Sequence, residues 1–276
     1  MALPEAERIG GLPSERTRVA RVRNGHVSEG PDVLAAEEPL EVRLNGERVA
    51  VTMRTPGHDA ELAVGFLLGE AIVRPGDVAN ITECRSDEGD GGVVDVRLRP
   101  GARPATGWQR NFYATSSCGI CGKASIEAVR QAAEPVADGP EVGAETILGL
   151  PETLRGAQRV FERTGGLHAA GLFEPDGLLV TLREDVGRHN AVDKVVGRAA
   201  LDGRLPLAGT VLLVSGRASF EIMQKALMAH VPFVAAVSAP SSLAVRLARE
   251  SNMTLVGFLR PGGFNVYAGR ERVAGT

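Results

Sequence analysis

Residues 210–237 read TVLLVSGRASFEIMQKALMAHVPFVAAV and decide the fold. Two short apolar runs, 210–214 and 232–237, bracket a helical pattern over 219–230. Apolar strands that alternate with amphipathic helices are typical of βαβ units, in which the strands are parallel. This stretch therefore predicts a parallel sheet covered by helices.

The same alternation continues outward, with helical patterns over 190–201 and 241–250 and a strand over 253–259. Right-handed crossovers place the loops that follow the strands along one edge of the sheet. These loops, 184–190, 215–219, 238–242 and 260–263, carry serine, arginine or glycine at helix N-termini or strand ends, where backbone N–H groups favour anions. We expect a phosphate-bearing ligand, of the nucleotide type, at this edge. The alternative is that Arg188, Arg217 and Arg260 are solvated and the serines only cap helices.

The N-terminal half has a different pattern. Asn45-Gly46 separates two strand patterns, 39–44 and 48–54, and predicts a hairpin. A helix over 57–72 should pack on that sheet through Leu62, Phe66 and Leu67, and two further strands follow at 80–85 and 92–99. Cys84 is expected to be a small core residue, and His58 a capping or solvated residue.

Together these patterns predict a mixed α/β chain, α+β overall. The expected organisation is a mobile tail over 1–17, a β-rich subdomain with a packed helix over 18–108, a cysteine-motif loop and helix over 109–134, and an α/β domain over 144–276. Residues 135–143 are expected to be a linker. A helix should open at Leu150-Pro151 and run to 163, before a hairpin of strands 168–174 and 177–183.

The amino-acid composition and net charge indicate which classes of binding partner the protein is suited to. The 276 residues carry a net charge of −3, with 43% hydrophobic and 24% charged residues, as in ordinary globular proteins. An acidic balance argues against general nucleic-acid binding, which needs a basic face. We find no membrane span and no apolar leader at the start, so we expect a cytoplasmic protein with free thiols.

The stretch TSSCGICGK, residues 115–123, holds Cys118 and Cys121. The hydroxyl residues can cap a helix over 124–130, whose N-terminus, with Lys123, would favour thiolate over thiol. Thiolates suit sulfur relay through a persulfide. A redox dithiol and an inert buried pair remain alternatives, whereas a structural zinc site needs two more ligands where Cys84 and isolated histidines remain. We predict no metal site.

Six spaced motifs carry a resemblance that covers nearly everything after the tail. They are RTPGHD at 54–59, SCGICG at 117–122, TGGLHAA at 164–170, DVGRHNAVDK at 185–194, SGR at 215–217, and FLR at 258–260 with FNVY at 264–267. The chain thereby resembles the FdhD family of formate dehydrogenase accessory sulfurtransferases.

The resemblance implies a C-terminal three-layer domain of cytidine-deaminase-like fold and a homodimer. It also implies a carrier that takes persulfide sulfur from a cysteine desulfurase and delivers it to the bis-molybdopterin guanine dinucleotide form of the molybdenum cofactor, before the cofactor enters the formate dehydrogenase apoenzyme. Deamination is not expected, because zinc deaminases need a His-x-Glu, whereas His168 is followed by two alanines.

By the same resemblance, Cys118 carries the persulfide and Cys121 relays or resolves it. The residues expected to bind the cofactor, or GDP as its fragment, are Ser215, Arg217, Arg188, His189, Phe258, Leu259, Arg260, Pro261, Gly262 and Gly263. His168 and His189 are either proton donors or structural residues. Two other functions stay open: a chaperone that binds the cofactor without relaying sulfur, and a thiol-disulfide oxidoreductase.

Overall fold

The computed structural model describes residues 11–85, 91–105 and 134–275. The motif with Cys118 and Cys121, and the helix expected after it, lie outside the described residues. The described strands are β1 (Ser14–Arg23), β2 (His26–Ala35), β3 (Glu38–Leu44), β4 (Glu47–Arg54), β5 (Val78–Arg85), β6 (Gly92–Leu98), β7 (Val142–Gly143), β8 (His168–Phe173), β9 (Leu179–Asp185), β10 (Val211–Val214), β11 (Phe233–Ala236), β12 (Thr254–Arg260), β13 (Gly263–Ala268) and β14 (Val273–Ala274). The described helices are α1 (Asp59–Gly69), α2 (Ala144–Ala157), α3 (Arg159–Thr164), α4 (Arg188–Leu201), α5 (Phe220–Met228) and α6 (Ser242–Glu250).

The C-terminal sheet has six strands in the order β13-β12-β11-β10-β8-β9. Strands β10, β11 and β12 are parallel, which confirms the βαβ prediction. Side chains alternate between two cores: Leu212 and Val214 pack with α4 to α6, whereas Val211 and Leu213 pack with α2. The sheet is therefore the middle of three layers, and the predicted mixed α/β class is confirmed.

The N-terminal sheet has four strands in the order β4-β3-β6-β5. The predicted hairpin β3–β4 is present, with Asn45 and Gly46 both at positive φ (53° and 86°), as its two-residue turn requires. Helix α1 packs between this sheet and α4, so that one hydrophobic core runs from the N-terminal sheet to the C-terminal helices. Among the described residues, no helix has the length and apolar character needed to cross a membrane.

Two glycines allow α1 and α4 to touch through their backbones. A Cβ at Gly65 would lie 1.8 Å from the carbonyl oxygen of Asp193, and one at Gly197 would lie 1.8 Å from that of Glu61. These are steric overlaps with backbone, which no rotamer change can relieve. We therefore expect Gly197→Ala to lower the free energy of unfolding by about 2 kcal/mol or more, because the helices must separate.

The control for that prediction is Gly149→Ala in α2, where an added Cβ meets nothing within 4 Å. Alanine there should stabilise the protein by up to about 1 kcal/mol through helix propensity alone. Urea unfolding followed by circular dichroism measures both. If both variants changed the free energy of unfolding by the same amount, the close approach of α1 and α4 would not contribute to stability.

Several predicted boundaries are wrong. Strand β1 begins at Ser14, inside the segment expected to be a tail. Helix α2 begins at Ala144 and contains Pro151, because the apolar stripe of Ile147, Leu150 and Leu154 runs through the proline. A short helix, α3, follows α2 and ends at Thr164, with Gly165 as its C-cap residue.

The expected linker over 135–143 is anchored instead. Val136 is buried and its N–H donates to the carbonyl of Ser251 (3.0 Å), while Val142 pairs with Val273. Cys84 is exposed, not a core residue. It lies on the edge strand β5, where alternation turns Ile81 inward and Cys84 outward.

Candidate functional site

The loops that follow β9, β10, β11 and β12 meet at one edge of the six-stranded sheet, which we call the loop edge. Strands β9 and β10 are both antiparallel to β8, and β10, β11 and β12 are parallel, so all four end on the same side. The start of β8, at His168, lies at this edge too. The predicted convergence of the four loops is confirmed by the topology.

Backbone hydrogen bonds hold the loops in register. Ser238 N–H donates to the carbonyl of Gly216 (3.3 Å), and Phe258 N–H donates to that of Ser238 (3.1 Å). Ser215 is tied to β8 twice, since its N–H donates to the carbonyl of Ala169 and its hydroxyl accepts the Ala169 N–H, both at 2.9 Å. The Ser215 hydroxyl thus positions the loop against β8.

Arg188 opens helix α4 at the loop edge. The first turn of this helix has no side-chain cap and no acidic side chain, and the Asp185 carboxylate accepts the N–H of the N-cap residue Gly187. Arg188 Nε is buried and has no hydrogen-bond partner within the described part of the chain. A buried N–H without an acceptor costs free energy, and an anion that supplies the acceptor would recover it.

Gly216 is a buried residue that brings His168 and Arg188 together in the loop after β10. A Cβ at Gly216 would lie 3.4 Å from His168 Nδ1 and 3.6 Å from Arg188 Cδ, which are ordinary contact distances. The loop after β10 therefore lies beside both side chains.

The two histidines of the loop edge are electrically neutral at pH 7. Burial, together with the positive charges of Arg188 and Lys225, lowers the pKa of His189 to about 4. Burial and Arg188 also lower the pKa of His168. His189 Nε2 lies 3.1 Å from Ser219 Oγ, the hydroxyl that caps α5. The histidines thus contribute neutral donors and acceptors beside the charge of Arg188.

We expect His189 to titrate with a pKa near 4 when its ring protons are followed by NMR. In the unfolded chain His189 has an ordinary pKa of about 6.5, so as the pH falls below this value the unfolded state binds a proton before the folded state does. The free energy of unfolding therefore decreases as the pH falls from about 6.5 toward 4. Replacing Arg188 by Gln should raise the pKa of His189, because one of the lowering charges is lost. A midpoint above 6 in the wild type would contradict the assignment.

Asp185 fixes the start of α4 from below. Its carboxylate, fully buried, accepts hydrogen bonds from the N–H groups of Thr55 (3.1 Å) and Gly187 (2.8 Å) and from Asn190 Nδ2 (2.9 Å). Lys194 Nζ lies 2.6 Å from the same carboxylate and donates to the Thr55 carbonyl at 2.8 Å. The motifs at 54–59 and 185–194 therefore meet, and they join the N-terminal sheet to the loop edge.

The far end of the loop edge presents an aromatic residue and an arginine. Phe258 has a positive φ of 52° at an irregularity in the β12–β13 pairing and is 37% exposed. A positive φ is strained for a bulky residue and marks a position worth a functional explanation. The guanidinium of Arg260 lies 5.7 Å from the centre of the Phe258 ring. Arg217 is exposed on the loop after β10, which the loop after β11 separates from Phe258.

The remaining predicted binding residues divide into two groups. Pro261, Gly262 and Gly263 are exposed in the turn between β12 and β13, with Gly262 at a φ of 86°. Leu259 is 1% exposed and packs in the core on the α2 side, so it supports the neighbouring residues and presents no surface to a ligand. Within the three described ranges, no cluster of three or more His, Cys, Asp or Glu side chains suits a metal ion.

Sequence reasoning missed the network around Asp185. A lysine on the apolar side of a helix, as Lys194 is, was the available signal, because such a lysine needs a buried partner.

His58 was expected to cap the helix or to be solvated. Its side chain is 55% exposed and makes no side-chain cap. Its Nδ1 lies 3.5 Å from Glu61 Oε2.

Comparison with known proteins identifies relatives over almost the whole chain. The model of the FdhD/NarQ family matches residues 35–274. The chain is similar to the sulfur carrier protein FdhD of Streptomyces coelicolor, with 59% identity over 273 residues, 96% of this chain and 97% of that protein. The protein of the same name from Mycobacterium tuberculosis is 53% identical over 274 residues, 95% of this chain and 99% of that one.

Solved structures match as well, and one of them covers nearly the whole chain. It is the crystal structure of a protein assigned as a formate dehydrogenase accessory protein from Desulfotalea psychrophila. It superimposes with a TM-score of 0.75 at 26% identity and covers 94% of this chain and 99% of that chain.

Proposed function

Because the chain belongs to the FdhD/NarQ family, we propose that it is a sulfur carrier that serves formate dehydrogenase. Sulfur passes from the persulfide of a cysteine desulfurase to Cys118, and from there to the bis-molybdopterin guanine dinucleotide molybdenum cofactor, before the apoenzyme receives it. The observation that carries the cofactor half is the buried Arg188 N–H without an acceptor at the loop edge.

The loop edge suits both ends of a guanine dinucleotide. Arg188 and the start of α4 offer charge-assisted hydrogen bonds to the diphosphate, and exposed Arg217 adds a third donor group. The ring of Phe258, with Arg260 over it, offers a flat surface on which a purine can stack. The cofactor is cargo here, and the residues of this chain bind and orient it.

The chain length allows the cysteines to reach this edge. Ala105, held by a hydrogen bond from its N–H to the carbonyl of Ile72 (2.9 Å), is 13 residues before Cys118. A connection of that length spans at most about 45 Å, more than twice the radius of gyration of about 19 Å expected for a domain of this size.

In the loading step, the Cys118 thiolate attacks the terminal sulfur of the donor persulfide. A new S–S bond forms on Cys118, and the donor cysteine leaves as a thiolate. Cys121 then either attacks the terminal sulfur, so that the persulfide moves to Cys121 and Cys118 leaves as a thiolate, or attacks the inner sulfur and releases hydrosulfide for the cofactor. The second course leaves a Cys118–Cys121 disulfide that a reductant must open. We further propose that the carrier acts in the cytoplasm and as a homodimer.

Intact-protein mass spectrometry tests the proposal. Incubation with an active cysteine desulfurase and cysteine should add one sulfur atom, and a thiol reductant should remove it. A protein that gains no sulfur but binds GDP is instead a chaperone for the cofactor. A protein that reduces disulfides and binds no nucleotide is a thiol-disulfide oxidoreductase.

Calorimetry with GDP tests the binding residues. We expect Arg188→Ala, Arg217→Ala and Arg260→Ala each to weaken GDP binding by about tenfold or more, because each removes a charged donor or its stacking partner. Arg18→Ala is the matched control, since its side chain is 80% exposed on the separate β1–β2 hairpin. Unchanged affinity in all three loop-edge variants would remove this site from the proposal.

A further inference from the structure

A polar cavity lies away from the loop edge. It has a volume of about 230 Å³ and opens between strand β9 and the second half of α4. Because α4 begins at the loop edge and runs away from it, the cavity lies toward the other end of the domain. Its polar lining consists of Thr181, Arg183, Arg198, Asp202 and Arg204, and its apolar lining of Leu172, Val180 and Ala199.

Arg183 forms a fixed wall of this cavity. It donates two hydrogen bonds to Glu61, at 2.5 and 2.8 Å, and others to the Thr181 hydroxyl and the Leu182 carbonyl. Burial on its own would raise the pKa of Glu61, but the hydrogen bonds from Arg183 and His58 outweigh it and lower that pKa to about 2. The Arg183–Glu61 pair is therefore ionised at neutral pH and stays in place.

Arg198 and Arg204 are held much less firmly. Arg198 Nε lies 2.8 Å from Asp202 and Arg204 lies 3.0 Å from Glu174, and these four side chains are between 37% and 47% exposed. Arg198 Nη1 also lies 3.8 Å from Glu61 Oε1, at the edge of the Arg183–Glu61 pair. Exposed ion pairs of this kind contribute at most about 1 kcal/mol each. Asp202 and Glu174 can turn into solvent at little cost, which leaves two guanidinium groups facing one cavity.

We infer that this cavity is a binding site for a small anion with two or more phosphate or carboxylate groups, held by Arg198 and Arg204. Guanidinium groups bind the paired oxygens of phosphates and carboxylates in a planar, two-point geometry. The volume is below the roughly 300–1,000 Å³ of pockets that enclose drug-sized ligands, so the site selects a small anion over a dinucleotide. It is separate from the proposed cofactor site and does not depend on it.

Calorimetry with two probes tests the site on the full-length protein at matched ionic strength. Pyrophosphate presents phosphate oxygens, whereas citrate presents carboxylates. The probe that binds with the higher affinity identifies the class of ligand. We expect binding in the wild type and at least a tenfold loss of affinity in the double variant Arg198→Gln/Arg204→Gln. Circular dichroism checks that this variant is folded, as we expect because the Arg198 and Arg204 side chains are partly exposed.

A loop-edge variant separates this site from the proposed cofactor site. The control Arg18→Gln, on the separate β1–β2 hairpin, should leave the affinity for the tighter probe unchanged, whereas Arg217→Gln reports on binding of the probe at the loop edge. Binding that disappears in Arg217→Gln but persists in the double variant would place the anion at the loop edge and overturn the inference. So would the absence of measurable heat with both probes at millimolar concentration.

Discussion

Replacing Lys194 by Met is expected to lower the free energy of unfolding by about 3–5 kcal/mol at pH 7. Lys194 is 1% exposed and Asp185 is fully buried, and the two charges are 2.6 Å apart. Removing the lysine leaves a buried carboxylate without its counter-charge, and it also leaves the Thr55 carbonyl without the Lys194 donor. Methionine keeps much of the side-chain volume, so the loss reports on charge and hydrogen bonding more than on a cavity.

The double variant Asp185→Asn/Lys194→Met is the control for this result. It removes both charges, while the asparagine side chain can still accept a hydrogen bond from Gly187 or Thr55. We expect it to be more stable than Lys194→Met alone. Urea unfolding of the two variants and the wild type gives the comparison. A Lys194→Met protein within about 1 kcal/mol of the wild type would show that the three remaining donors hold the carboxylate unaided.

The same network explains why the loop edge depends on the N-terminal sheet. Asp185 binds the N–H of Gly187 on one side and the N–H of Thr55 on the other, so one carboxylate orients the start of α4 and docks the end of β4. Asn190 adds a second link, because its Nδ2 donates to the Met53 carbonyl at 2.8 Å. The N-terminal sheet therefore supports the turn between β9 and α4 at the loop edge.

The parallel part of the fold could be predicted because its signals are local. Strands β10, β11 and β12 are short apolar runs between helices with serine caps, and Ser219 and Ser241 do cap α5 and α6. The network around Asp185 could not be predicted in this way. Its partners lie 130 residues apart for Thr55 and Asp185 and 139 for Thr55 and Lys194, and no periodic pattern encodes such a contact.

Two errors show where local rules give way to packing. Pro151 suggested a helix start, yet it lies inside α2, because burial of Ile147, Leu150 and Leu154 outweighs one lost backbone hydrogen bond. Leu259 was grouped with the exposed residues around it, yet strand alternation turns it into the core, between exposed Phe258 and exposed Arg260. A sequence motif thus mixes exposed residues with buried residues that support them.

Replacing Cys118 by Ala is expected to abolish transfer of sulfane sulfur to this protein. The proposed loading step forms an S–S bond on the Cys118 sulfur, and alanine offers no atom for it. The wild type, Cys118→Ala, Cys121→Ala and Cys84→Ala should be incubated with desulfurase and cysteine and compared by intact mass, with and without reductant. Cys121→Ala should still load one sulfur, since Cys121 acts after loading.

Cys84→Ala is the control for nonspecific labelling, because Cys84 is an exposed thiol on the edge strand β5. It should load as the wild type does. Full labelling of Cys118→Ala would refute its assignment as the carrier; loss of that label on adding Cys121→Ala would move the role to the second cysteine of the motif. Loss of label in Cys84→Ala alone would place the persulfide on β5 and separate sulfur transfer from the motif altogether.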